Sequence, residues 1–234
     1  MRNKHVDRNG LTLSVGLALL GLMLRPPSVK ATDPADASEV ALAFNGGSTW
    51  TSGTTGICIW YFPVVGDLDL KFLFAPDMSG APVIDREHAY FIWVSDFSVQ
   101  FLTTPPVPKG APATVSYALA LAPAGEGTIY YSNNPSGRDW SDLTKRSTWG
   151  APVAKFVRKG SLVRSADGFV SDTFIFSADL KSATRVDLNG KHFDFRDLLP
   201  SGMTCFEFGQ MGSSRESGNC LAKGGGRQGN DPWD

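Results

Sequence analysis

The chain has 234 residues, 42% of them hydrophobic, and its 22 basic and 23 acidic side chains leave a net charge of −1. That balance excludes a general nucleic-acid binder, and the apolar content is sufficient for a full core. Past the N-terminal segment no apolar run reaches the ~20 residues that a membrane-spanning helix needs, so no transmembrane span is expected in the mature chain.

Residues 1–31 have the organisation of a secretory leader. Arg2, Lys4 and Arg8 form a basic start, 11–24 is an apolar run, and Arg25 with two prolines ends it. Val29-Lys30-Ala31 then places small residues at the cleavage positions, which predicts a secreted or periplasmic protein cut after Ala31. No cysteine lies there to carry a lipid anchor. Cleavage removes five basic residues and one acidic residue, so the mature chain of 203 residues carries a net charge of −5. It is expected to form one all-β domain over 32–222, with a disordered tail at 223–234.

Three cysteines remain: Cys58, Cys205 and Cys220. Cys205 and Cys220 bracket a Gly/Ser-rich segment and suit a disulfide. Cys58, in GICIWYF, reads as a small buried hydrophobe. Spacing alone leaves other pairings of Cys58 open.

Taken in order, 39–44 alternates and predicts a first strand, which Asn45-Gly46-Gly47 should break. Trp50 stands in a polar stretch. Residues 57–65 predict a buried strand, with Pro63 near a sheet edge or bend. Residues 67–74 alternate and read as another strand. The longest strand pattern is 88–102: one parity (Ala89, Phe91, Trp93, Ser95, Phe97, Val99, Phe101) is apolar, and the other is partly wet. Four prolines make 103–112 a loop. Strands are expected at 114–122 and 128–132, followed by a long polar interruption at 133–150, the kind of loop that carries function on a β scaffold. Residues 153–158 and 162–164 read as a hairpin through Lys159-Gly160. A strand follows at 169–178. Residues 184–188 and 191–195 flank Asn189-Gly190, the strongest hairpin signal in the chain. A last strand is expected at 203–208. Roughly ten short strands with no convincing helix predict a single-domain antiparallel β-sandwich or β-barrel.

Chemistry is sparse in this pattern. In the Asn-Gly hairpin Arg185, Asp187, His192 and Asp194 share one face, and Asp187 lies opposite His192, a carboxylate–imidazole pair able to orient a base. His88 has Asp85 and Glu87 beside it. The usual nucleophile-elbow, zinc-protease, phosphate-loop and Cys-x-x-Cys patterns are absent, and no metal or cofactor is expected. Residues 138–164 hold seven basic side chains against Asp139 and Asp142, with Trp140 and Trp149 among them. Arg138, Trp140, Lys145, Arg146, Trp149, Lys155 and Arg158 are therefore the candidate contact residues for an anionic glycan, a lipid headgroup or another envelope protein. The expectation is an exported, non-catalytic binding or surface-associated module. Its rival is a small barrel or sandwich enzyme using Asp187, His192, Asp194 or His88.

Overall fold

The computed structural model describes residues 40–52, 55–101, 117–121, 125–166, 171–209 and 215–223, all within one compact unit. Its strands are β1 (Val40–Trp50), β2 (Thr55–Val65), β3 (Phe91–Phe101), β4 (Tyr117–Leu121), β5 (Glu126–Tyr131), β6 (Ala151–Ala166), β7 (Ser171–Ala183), β8 (Val186–Leu188), β9 (Lys191–Phe193), β10 (Met203–Gly209) and β11 (Glu216–Ala222). Two single-turn α-helices, α1 (Leu70–Leu73) and α2 (Phe195–Leu198), and two 3-10 turns, Pro135–Gly137 and Arg146–Thr148, complete the described elements. The leader, the arm before residue 40, the proline loop and the segment beyond 223 lie outside the described residues.

All pairings are antiparallel: β1 pairs with β2, β2 with β3, β3 with β4 and β5, both of these with β6, β6 with β7, β7 with β10, β10 with β11, and β11 with β1, so the sheet closes into a barrel rather than a sandwich. Along β3, β5 pairs with Phe91–Ser95 and β4 with Val99–Phe101, so β4 and β5 together form one stave of the wall. That gives eight staves, with β8 and β9 as a separate two-stranded sheet. Closure leaves no unpaired edge in the wall, so the basic residues of β6 are not there to block edge pairing.

Alternate residues of every stave point inward. Phe44, Trp60, Trp93, Phe156 and Phe176 fill the interior, all at most 1% exposed. Burying each such side chain contributes about 1.5–3 kcal/mol. One end is plugged by the β8–β9 hairpin and α2: Phe91 contacts the rings of Phe193 and Phe195 at 6.0 and 5.5 Å. The hairpin has the expected two-residue turn, with Asn189 and Gly190 at φ 54° and 82°, as a type I′ turn requires. Asp187 faces His192 across it, and Val186 faces Phe193.

Several sequence expectations are overturned. Residues 67–74 are a turn and α1, not a strand. The wall closes without them, so Leu68, Leu73 and Phe74 pack as a buried plug on the outside of β2. β1 runs straight through Asn45-Gly46-Gly47. A Cβ on Gly46 would stand 2.1 Å from the Ile59 carbonyl oxygen, so the glycine admits a close approach rather than a turn. Lys159-Gly160 is a bulge inside the single strand β6, not a hairpin turn. Pro63 also sits at a bulge, where β1 and β2 shift register and its missing N–H costs no ladder bond. β11 was not anticipated, because Gly218 and Ser217 made it resemble a loop. Lys223, assigned by composition to the tail, donates its backbone N–H to the Gly202 carbonyl at 2.9 Å.

The second face of β3 is partly wet as expected, with Asp96 exposed, and its apolar middle is covered from outside the wall. Ile92 and Val94 are fully buried along with Phe91 and Trp93. The 133–150 segment straps the outside of the β3–β5 wall, with Trp149 edge-on to Tyr130 at 6.1 Å and Tyr130 directly opposite Ile92. The barrel thus has an inner core and a second core outside one wall.

Candidate functional site

Strand register sorts the interior into layers. Nearest the plug is Phe91. Next comes an aromatic stack in which Trp60 lies 4.1 Å from Phe44, 5.9 Å from Trp93 and 5.5 Å from Phe176. One step further along the same inward faces the side chains become polar: Ser48, Cys58, Ser95, Arg158, Glu207 and Glu216, all at most 9% exposed.

This layer is densely bonded. Glu216 accepts from Ser48 Oγ at 2.6 Å through Oε1 and from Trp60 Nε1 at 3.2 Å through Oε2. It is also hydrogen-bonded to the Glu207 side chain. Burial pushes the Glu216 carboxyl above its ordinary value, against the pull of those three bonds. Two carboxyls in hydrogen-bond contact in a dry interior share one proton. Arg158 donates from Nη2 to Ser95 Oγ at 2.8 Å and lies over the Phe176 ring at 4.9 Å. Burial lowers the Arg158 pKa, while Cys58, Glu207 and Glu216 oppose that shift. The Cys58 thiol is pushed well up, first by burial and then by the two glutamates. Arg158 is the buried cation of the same layer.

Comparison with family models, curated proteins and solved structures found no match. The interior layer is therefore interpreted from its own geometry.

The residues singled out from sequence lie elsewhere or serve other purposes. Asp187 and His192 are 63% and 65% exposed with 4.0 Å between Oδ2 and Nδ1. Asp187 Oδ1 accepts from the Gly190 backbone N–H at 2.7 Å, and Asp194 caps α2 by accepting from Arg196 N–H at 2.8 Å. His88 is held by Asp85, which accepts from both its backbone N–H and Nδ1 at 2.8 Å. These side chains serve turns and caps. Among the described residues no group of three or more His, Cys, Asp or Glu is placed to hold a metal ion.

The expected basic contact surface also comes apart. Arg138 is 5% exposed, and its guanidinium donates to the carbonyls of Ala89, Tyr90 and Trp149, fastening the 133–150 strap to the start of β3. Burial pushes its pKa down to about 10. Trp149 is buried, and Trp140 is half-buried with Arg86 stacked 4.3 Å over it. Arg158 points into the barrel. Lys145, Arg146 and Lys159 pair with Asp142, Asp96 and Asp179, and Lys155 lies beside Glu126. The local excess of positive charge is cancelled mainly by acids remote in sequence. Arg138, Trp149 and Arg158 are buried and so present no surface to a partner.

Glu207 and Glu216 were missed although a signal was present. Glu207 is in phase with Cys205, and Glu216 with Cys220. A buried disulfide facing inward carries both acids inward with it. Arg158 likewise follows Ala154 and Phe156 on one parity.

Proposed function

We propose that this chain is an exported, non-catalytic binding protein, a β-barrel that takes a small apolar molecule with its polar end against the interior layer. The observation that carries the reading is the cluster of Arg158 with the Glu207–Glu216 pair inside an otherwise aromatic barrel. Burying ionised groups costs several kcal/mol each, and a barrel selected for stability alone does better with apolar side chains. An apolar surround with a few convergent polar groups is the usual make-up of a small-ligand site. Eight-stave barrels either fill with side chains or hold one small ligand. The leader-like segment at 1–31 and the Cys205–Cys220 disulfide support an extracytoplasmic location, and no described helix is long and apolar enough to cross a membrane.

Trp60 and Trp93 lie inside the barrel next to the polar layer, so binding there is read by their fluorescence. Titration with ethylnaphthalene should quench it saturably with a stoichiometry of one, and the exported protein should begin at Thr32. Absence of saturable binding by any apolar probe removes the reading. The enzyme alternative moves with the site: a proton-sharing carboxyl pair is an acid–base couple. Conversion of a bound compound, abolished by Glu207→Gln with binding intact, would favour it.

A further inference from the structure

We infer that an open groove on the outer face of β2 and β3, at the end of the barrel away from the β8–β9 plug, binds a neutral polyhydroxylated ligand of the sugar class. This site is separate from the interior layer and does not rest on the reading above.

The groove has a volume of about 480 Å³, within the ~300–1,000 Å³ usual for a small-molecule site. Strand register builds its floor. Thr55 pairs with Ser98, and Ile57 pairs with Asp96. Residues two apart on a strand share a face, so these four side chains form one patch. The pair between them, Gly56 and Phe97, turns the Phe97 ring to the opposite face, where it lies edge-on to Trp50 at 5.2 Å. The walls come from segments remote in sequence: Thr51 after β1, Gly125 ahead of β5, and Thr144 of the 133–150 strap. A Cβ on Gly125 would stand 2.5 Å from the Asp96 carbonyl oxygen, so only bare backbone brings that wall up to the floor.

The lining selects the ligand. Thr51, Thr55, Ser98 and Thr144 supply hydroxyls, each able to donate and to accept. Thr51 and Ser52 are hydrogen-bonded to Thr55 Oγ1 at 3.1 and 2.6 Å, which orders one wall as a row of hydroxyls. Thr144 Oγ1 donates to Asp142 Oδ1 at 2.6 Å and so turns its lone pairs outward. Asp96 accepts from Arg146 Nη2 through Oδ1 at 2.5 Å, and its side chain stays 60% exposed, with Oδ2 left as an acceptor. Those two charges cancel, and the described lining holds no other ionised side chain. Mixed donors and acceptors without net charge complement hydroxyls on an uncharged frame, and Ile57 with the threonine methyls gives that frame an apolar base.

The test titrates five disaccharides into the purified, isotope-labelled protein and follows its amide shifts by NMR: neutral cellobiose, maltose and mannobiose, anionic digalacturonate, and the cationic glucosamine disaccharide. At least one neutral sugar should bind saturably at one site and move the amides of Thr55, Gly56, Phe97 and Ser98, and both charged sugars should bind more weakly. Asp96→Ala and Thr55→Val should each weaken binding about tenfold. The ion pair lost in the first is exposed, so the fold should hold, and valine keeps the β-branched shape that suits a strand. Lys145→Ala, next to Thr144 but outside the lining, should leave affinity unchanged. No saturable binding by any neutral sugar overturns the inference and leaves the interior reading untouched, because that reading is tested with an apolar probe. Tightest binding of either charged sugar overturns it in favour of an ion site. Full affinity in both groove variants, or shifts confined to other surfaces, overturns the placement.

Discussion

Glu207 and Glu216, on neighbouring strands β10 and β11, are hydrogen-bonded to each other inside the barrel. Arg158 of β6 is a buried cation that feels both carboxyls. This arrangement gives the protein an unusual pH profile. Because the folded pKa of Glu216 is raised, the stability linked to it is fully present below about pH 4.5, the unfolded value, and is lost as pH rises through the folded value. The exposed carboxylates Asp77, Asp139, Asp142, Asp179 and Glu126 have lowered values, so the stability they contribute is lost as pH falls. Glu216→Gln should melt with the wild type near pH 4 and a few degrees above it near pH 7.5. The amide fits, since Ser48 can turn its hydroxyl to accept from the new NH₂ while the amide oxygen keeps Trp60. A variant that melts below wild type at both pH values would show that Glu216 is ionised and net stabilising.

Arg138 is the fastener of the outer core. Arg138→Met leaves three carbonyls without their donor beneath Trp149, a loss of about 3 kcal/mol or more. Lys145→Ala, in the same segment but 63% exposed at the side chain, should change stability by less than about 0.5 kcal/mol. Urea midpoints of the two variants check this, and similar small effects from both would mean that Arg138 does not hold the strap.

Cys205 and Cys220 face each other across β10 and β11 and are disulfide-bonded at a separation of 15 residues. Replacing both with alanine should cost roughly 3 kcal/mol through loop entropy in the unfolded chain. Cys58 is free and 4% exposed. A thiol reagent should label no site in the folded protein and one in denaturant. Rapid labelling of the folded form would mean that the barrel interior opens to solvent at Cys58.

The Asn-Gly hairpin separates turn chemistry from catalysis. Gly190→Ala, at φ 82°, should cost about 1–2 kcal/mol. Asp187→Ala, which loses the bond to Gly190 N–H, should cost about 1 kcal/mol. His192→Ala, on the same exposed face, should be neutral in stability and ligand binding. Loss of function in His192→Ala with the fold intact would return catalysis to this hairpin.

How far the sequence reaches is clearest at the level of single elements. The type I′ turn at 189–190, the Cys205–Cys220 pair and the apolar parity of β3 were legible because each depends on residues close in sequence or on a simple period. Residues 67–74 failed because alternation of Leu and Phe also suits a plug, and only the absence of a free strand partner excludes the ladder. Gly46, Gly160 and Gly218 misled because glycine marks a close approach or a bulge as readily as a turn.

The sequence by itself determined that the chain is all-β and where most of its strands lie, since these follow from local conformational preference and side-chain alternation; which cysteines pair was settled by the register of β10 and β11. Only the tertiary structure decided that the sheet closes, because closure depends on β1 meeting β11 from the far end of the chain. It also decided the place of every candidate charge. Burial and pairing are non-local: Arg138 and Arg158 look alike on paper to Lys145 and Lys155, but the register of β6 turns Arg158 into the barrel and three distant carbonyls bury Arg138 beneath the strap, while the two lysines stay at the surface.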